Sequence, residues 1–178
     1  MPPHCLPDAA AVLERIWNGW RATYVSTAGQ AADGASGSVF TQILKSGLDD
    51  NETNIVHRGE QCFAILNAFP YGTGHLLVLP YREASELEEL TPPEASELWS
   101  MVTDAVRAIK RAYSPEGVNV GINLGRPAGG SVSEHLHVHV VPRWTGDANF
   151  MTTVANTRTL PEALVDTAAK IRAAWPGQ

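Results

Sequence analysis

The chain has 178 residues, of which 44% are hydrophobic and 18% charged, a length and balance that suit one soluble globular domain with one core. A formal net charge of -6 argues against a nonspecific nucleic-acid binder, which needs a basic surface, yet leaves room for a small anionic ligand in a locally positive pocket. No run approaches the roughly 20 apolar residues of a membrane span, Met1-Pro2-Pro3-His4-Cys5 lacks the basic start and apolar run of a secretory signal, and the two well-separated cysteines, Cys5 and Cys62, make neither a disulfide framework nor a structural zinc site, so the expected compartment is the cytoplasm.

Asp8 caps a first predicted helix through Ala11, Val12, Ile16, Trp17 and Trp20, whose apolar positions recur at helical spacing. A Gly-, Ala- and Ser-rich stretch from Ser26 to Ser38 reads as a flexible loop, followed by a short helix or turn over Phe40 to Leu44. On this reading residues 1–53 form an N-terminal extension and residues 54–178 the main body. Ile55-Val56-His57 and Cys62-Phe63-Ala64-Ile65-Leu66 are predicted strands joined at Arg58-Gly59-Glu60, Pro70-Tyr71-Gly72-Thr73-Gly74 is a turn, and Leu76-Leu77-Val78-Leu79 is a third strand stopped by Pro80.

Thr91-Pro92-Pro93-Glu94 opens the clearest helix. Thr91 fits the cap, Pro92 the first helical position, and Glu94 completes a capping box. Leu98, Val102, Ala105, Val106, Ile109 and Ala112 give that helix one apolar face, and Ser114-Pro115-Glu116-Gly117 ends it. A strand over Val118 to Leu124, a glycine-rich loop from Gly125 to Glu134, a strand over His135 to Val141, and a final helix opened by Thr159-Leu160-Pro161-Glu162 complete the chain. Short connections favour antiparallel pairing, hence an α+β fold.

The segment His135-Leu136-His137-Val138-His139-Val140-Val141 holds the chemistry. Side chains alternate across a strand, so the histidines share one exposed face, with Leu136, Val138 and Val140 anchored in the core behind them. Along a strand, residues four apart lie roughly 13 Å apart, whereas an imidazole nitrogen ligates a first-row metal at about 2 Å. His135 and His139 therefore cannot share an ion without a strong bulge, and His57 or His75 would have to help any neighbouring pair. A single histidine would be taken as a satisfied core or surface residue. Half of the chain's six histidines packed into five residues after a glycine-rich loop point to use. A neutral imidazole is a good nucleophile near neutral pH. Attack on phosphorus through one nitrogen requires the proton on the other to be held, and glycines in Gly129-Gly130-Ser131 let backbone N–H groups approach phosphate oxygens.

The segment resembles the signature of the histidine triad nucleotide hydrolases and transferases. An upstream pattern, Asn67, Pro70, Gly74-His75, Val78 and Pro80, is similar to the same family's strand-turn-strand motif, and the likeness covers roughly residues 55–150. It implies an antiparallel sheet of about five strands with two main helices, here with the N-terminal helix added, and a homodimer or homotetramer. It further implies that His137 is the nucleophile, that His139 contacts the scissile region, that His135 and His75 support the site, that Asn67 holds the ribose, and that Asn123 and Ser131 contact phosphates. Within the family the chain looks most like the actinobacterial diadenosine tetraphosphate phosphorylases. The run Asn123-Leu124-Gly125, Ala128-Gly129-Gly130-Ser131, Glu134, Pro142-Arg143-Trp144 and Gly146 to Phe150 carries that likeness. It implies phosphate as co-substrate, with Gly130, Ser131 and Trp144 touching substrate. No cofactor is implied beyond a Mg2+ ion arriving with the nucleotide.

Two features set the alternatives. Where many triad proteins have glutamine before the triad, this chain reads Gly130-Ser131-Val132-Ser133-Glu134, and the smaller residue leaves space for phosphate in place of water. The galactose-1-phosphate uridylyl branch has proline between its first two histidines, where Leu136 stands here. Water-using hydrolysis of phosphoramidates or other nucleotidyl substrates is one competing reading, and a non-catalytic nucleotide-binding regulator is another. Arg143 and Arg126 are candidate phosphate contacts that are as readily explained as solvated surface, Trp144 is either a base platform or a packing anchor, and the acidic run Glu83 to Glu89 reads as a solvated face.

Overall fold

A computed structural model describes residues 37–130, 132–147 and 162–177. The predicted first helix, the Ser26–Ser38 loop short of residue 37, Ser131 and the opening Thr159-Leu160-Pro161 of the last helix lie outside the described residues. In chain order the elements are α1 (Val39–Lys45), α2 (Asp50–Thr53), β1 (Ile55–Arg58), β2 (Cys62–Leu66), β3 (Leu76–Pro80), α3 (Pro92–Tyr113), β4 (Gly117–Ile122), β5 (Val138–Arg143) and α4 (Leu164–Ala174). Single 3-10 turns fall at Leu87–Glu89 and Arg126–Ala128. The strands form one sheet in the order β1-β2-β3-β5-β4, and every neighbouring pair is antiparallel. The class is α+β, with five strands.

Alternation along the strands builds two apolar layers. Cys62, Ala64 and Leu66 of β2, Leu76 and Val78 of β3, and Val138 and Val140 of β5 face α3 and α4, meeting Leu98, Val102, Ala105, Ile109, Ala168 and Ile171. Burying each of the larger residues contributes about 1.5–3 kcal/mol. Phe63, Ile65, Leu77 and Leu79 face the other way and are covered by Phe40 of α1, with Ile43, Leu44 and Val132 packed around them. The body therefore includes helices upstream of Asn54. α1 closes the second layer, and Arg172 of α4 donates to the carbonyls of Asp50 and Ile55, tying α2 and β1 to the C-terminal helix.

The long helix α3 starts where its cap residues place it. Thr91 accepts the Glu94 N–H and the Glu94 carboxylate accepts the Thr91 N–H, with Pro92 in the first turn. The same buried carboxylate receives two donors from Arg82, and that pair holds its pKa down at about 2. The helix ends at Ser114 in the left-handed conformation. One expected element differs. The strand predicted from His135 forms its ladder only from Val138; ahead of it the Leu136 N–H donates to the Ala84 carbonyl at 2.7 Å, beyond the end of β3.

Candidate active site

The triad straddles the end of the sheet, with His139 in β5 opposite Leu77 and Gly121. His135 and His137 lie on the approach to that strand. Leu136, Val138 and Val140 face the helices, so the expected division between a polar and an apolar face holds. The expectation of an exposed strand is corrected. His135 is fully buried and His137 is only 6% exposed, because Phe40 packs on both rings, with centroids 5.5 and 5.4 Å away. His139 is half-buried, its ring 5.0 Å from that of His137.

Hydrogen bonds assign the protons on these rings. His137 Nδ1 lies 2.8 Å from the carbonyl oxygen of His135. A carbonyl only accepts, so Nδ1 carries the hydrogen and Nε2 holds a lone pair. Among the described residues that Nε2 has no hydrogen-bond partner. Burial also holds the His137 pKa below its ordinary value, with the His135 charge adding to the effect, against the bond to the His135 carbonyl and the charge of Glu134. The ring is thus kept neutral, the state in which it is a nucleophile.

A second chain of bonds fixes His139. The Tyr71 N–H donates to His75 Nδ1 at 3.0 Å, so His75 carries its proton on Nε2 and donates it to His139 Nδ1, 2.9 Å away. His139 must then bear its own proton on Nε2. That atom lies 3.4 Å from Nδ2 of Asn123 as the amide is placed, and a half-turn of the amide, whose two ends are nearly alike, brings its carbonyl oxygen to the N–H. Adjacent imidazoles therefore present opposite faces to a ligand, a lone pair on His137 and a donor on His139. His135 is bonded on both sides, through Nε2 to the Pro80 carbonyl at 2.8 Å and through Nδ1 to Ser38 Oγ at 2.7 Å.

The other predicted residues divide. Asn123 reaches the triad. Asn67 adjoins it through a 3.4 Å contact with His75 Nδ1, but its carbonyl is already used to close the turn at Phe69 N–H. Gly129 adopts φ +101, a conformation that favours glycine. Gly130 is packed so closely that a Cβ would lie 3.3 Å from the Gly125 carbonyl oxygen and 3.4 Å from that of Asn123. Ser131 lies outside the described residues. Arg143 and Trp144 are not brought to the triad. Arg143 is four residues beyond His139, roughly 13 Å along the strand, and its guanidinium is held by Asp147 at 2.6 and 2.9 Å and by Asn119 at 2.9 Å.

Four residues escaped the sequence reading. Tyr71 lies 12° from parallel with the His139 ring, at 5.8 Å, and tilts onto His75 at 4.5 Å. Its place in the turn before Gly74-His75 was a usable signal. Phe40, Ser38 and Glu83 come from distant segments, and nothing in their local sequence announces them.

Among the described residues no group of three or more His, Cys, Asp or Glu side chains is placed to hold a metal, and no helix is long and apolar enough to cross a membrane. The HIT domain family model matches residues 49–146. The chain belongs to the HIT family. A relative from Mycobacterium tuberculosis named AP-4-A phosphorylase is 45% identical over 170 residues, covering 93% of this chain and 86% of the relative. A second relative, named bis(5'-nucleosyl)-tetraphosphatase (asymmetrical), from Schizosaccharomyces pombe, is 35% identical over 95 residues, covering 53% of this chain and 52% of the relative. Among solved HIT structures, a Hit-like protein from Bartonella henselae superposes with a TM-score of 0.65 at 25% identity, covering 79% of this chain and 97% of that one. A zinc-bound histidine triad protein from Mycobacterium smegmatis gives 0.63 at 27% identity, covering 79% and 94%.

Proposed function

We propose that this chain splits diadenosine tetraphosphate with inorganic phosphate into ATP and ADP, through an adenylyl group carried on Nε2 of His137. The supporting observation is the pair of fixed tautomers. The lone pair on His137 Nε2 attacks the phosphorus next to one adenosine, and the bond from that phosphorus to its bridging oxygen breaks. ATP leaves as an oxyanion, a weak enough base to depart unprotonated, and its departing oxygen accepts a hydrogen bond from His139 Nε2–H. An oxygen of inorganic phosphate then attacks the adenylyl phosphorus, the P–N bond breaks, His137 regains its lone pair and ADP departs. Any proton carried by the incoming phosphate is released to solvent, and His139 keeps its own hydrogen throughout. Positioning and charge stabilisation, the main needs of such transfers, are assigned to Asn123 and to the backbone of Gly129, Gly130 and Ser131, with Asn67 at the ribose. His75 and His135 hold the reacting rings. Arg143 and Trp144 are assigned to parts of the substrate away from the reacting phosphorus.

The extent and level of identity to the M. tuberculosis phosphorylase support phosphate as the acceptor. A Mg2+ ion enters this scheme only as a companion of the polyphosphate. The cytoplasm is the proposed compartment. A homodimer or homotetramer is proposed as well, consistent with β4 forming a sheet edge on which Val120 is exposed. The deciding experiment is product analysis on diadenosine tetraphosphate with and without phosphate. ADP and ATP in equal amounts, dependent on phosphate, are expected. AMP and ATP at the same rate in both buffers would mean hydrolysis, and binding without turnover would mean a regulator.

A further inference from the structure

We infer that Ser38 and Glu83 are positioning residues for the nucleophile, forming a clasp that acts through His135 to fix the orientation and proton of His137; this rests on His137 being the nucleophile as proposed above. The clasp begins at the surface. The exposed Glu83 carboxylate accepts the Ser38 N–H at 2.7 Å and the Thr41 hydroxyl. With its own proton spent there, Thr41 is left to donate its backbone N–H to Ser38 Oγ at 3.2 Å. The Ser38 hydroxyl proton then has two possible acceptors, Thr41 Oγ1 at 3.3 Å and His135 Nδ1 at 2.7 Å. The shorter contact takes it.

His135 cannot answer with a proton of its own on Nδ1 while neutral, because Nε2 faces the Pro80 carbonyl, an acceptor that requires the hydrogen on that side. The ring is therefore pinned at both nitrogens in one tautomer, wholly out of water. The peptide carbonyl of this pinned residue is the group that holds the Nδ1 hydrogen of His137 at 2.8 Å. The same clasp docks α1, whose Phe40 lies against both His135 and His137. Neither Ser38 nor Glu83 points at the lone pair of His137, so their effect is on its aim, not on the reacting atoms. A misplacement of about 1 Å in such a group lowers rates by about 10²-fold.

The test compares Ser38→Ala, Ser38→Thr and Glu83→Ala in the full chain, with thermal unfolding to establish folding. Turnover is read beside the ring 15N spectrum, which reports tautomers independently of activity. Ser38→Ala is expected to lower kcat by about tenfold or more with KM within about twofold, to turn His135 into a mixture of tautomers and to broaden the His137 Nδ1–H signal. Ser38→Thr, which keeps the hydroxyl, restores kcat to within a few-fold. Glu83→Ala gives the same signature in smaller measure, and carries both readouts if Ser38→Ala does not fold. A folded Ser38→Ala protein with wild-type kcat and unchanged ring spectra overturns the clasp, as does equal loss in Ser38→Thr. Absence of adenylylated His137 in the quenched wild-type reaction would instead remove the nucleophile reading, leaving the tautomer spectra to decide the clasp on their own.

Discussion

His137 offers a lone pair and its neighbour His139 a hydrogen-bond donor, and the two can be disabled separately. His137→Ala is expected to lower turnover by more than about 10³-fold while nucleotide still binds, measured by product formation and calorimetry on the same preparation. His75→Ala removes the donor that holds His139 Nδ1 as an acceptor, letting the proton move to the wrong side. We expect a loss of about 10²-fold in kcat, smaller with an adenylyl ester whose leaving group is so weakly basic that it gains little from a hydrogen-bond donor. Equal loss with both substrates would remove His139 from stabilising the leaving group. At this scale much of the site was legible. Alternation alone placed three imidazoles opposite Leu136, Val138 and Val140, and the upstream motif supplied His75. The supports of these rings were not, because Ser38 is 97 residues from His135 and short-range pattern carries no information over that distance. For Arg143 the sequence does not reveal that Asp147, four residues on, pairs with its guanidinium.

At the level of elements, the loop that ends in Gly130 is set by backbone packing. A methyl group at Gly130 would press on two carbonyl oxygens, so Gly130→Ala must shift the loop by a few tenths of an ångström. We expect KM for phosphate to rise several-fold with thermal stability nearly unchanged, read from steady-state kinetics and a melting curve. The capping box of α3 was readable residue by residue from Thr91, Pro92 and Glu94, and its apolar face from the periodicity of Leu98 to Ile109. The start of β5 was not. Alternation continues through His135 and His137, but the backbone between them bonds to Ala84 beyond the end of β3, not to the ladder. Side-chain spacing records which way residues point, whereas strand boundaries depend on which backbone partner is available.

For the molecule as a whole, the buried rings make stability depend on pH in two separate windows. Desolvation holds His57, His135 and His137 below the ordinary histidine value of 6.5. The unfolded chain therefore binds protons near and below pH 6.5 that the folded chain refuses. The corresponding stability is fully present above 6.5 and is lost as pH falls below it. Glu94, held at about 2 chiefly by Arg82, contributes stability that is full above 4.5 and lost as pH falls toward 2. Urea midpoints should be flat above pH 7, decline between about 6.5 and the depressed histidine values, and decline again below about 4.5. A flat profile down to pH 4.5 would contradict the lowered values of His57, His135 and His137. The fold class was legible because short connections and a capped helix suffice to specify it. The packing of α1 across the sheet was not, since its seven residues carry little local signal and acquire their position from tertiary contacts.

The group that holds the Nδ1 hydrogen of His137 is a peptide oxygen, where many histidine catalysts use a carboxylate. Such an oxygen has no charge to offset the cation that forms when the opposite nitrogen bonds to phosphorus, and it cannot take the hydrogen away. On the proposed reaction, the loaded ring therefore stays an electron-poor imidazolium with an activated bond to its cargo. The half-finished enzyme is accordingly impatient, storing little of the substrate's transfer potential as binding and handing nearly all of it to whichever acceptor arrives next.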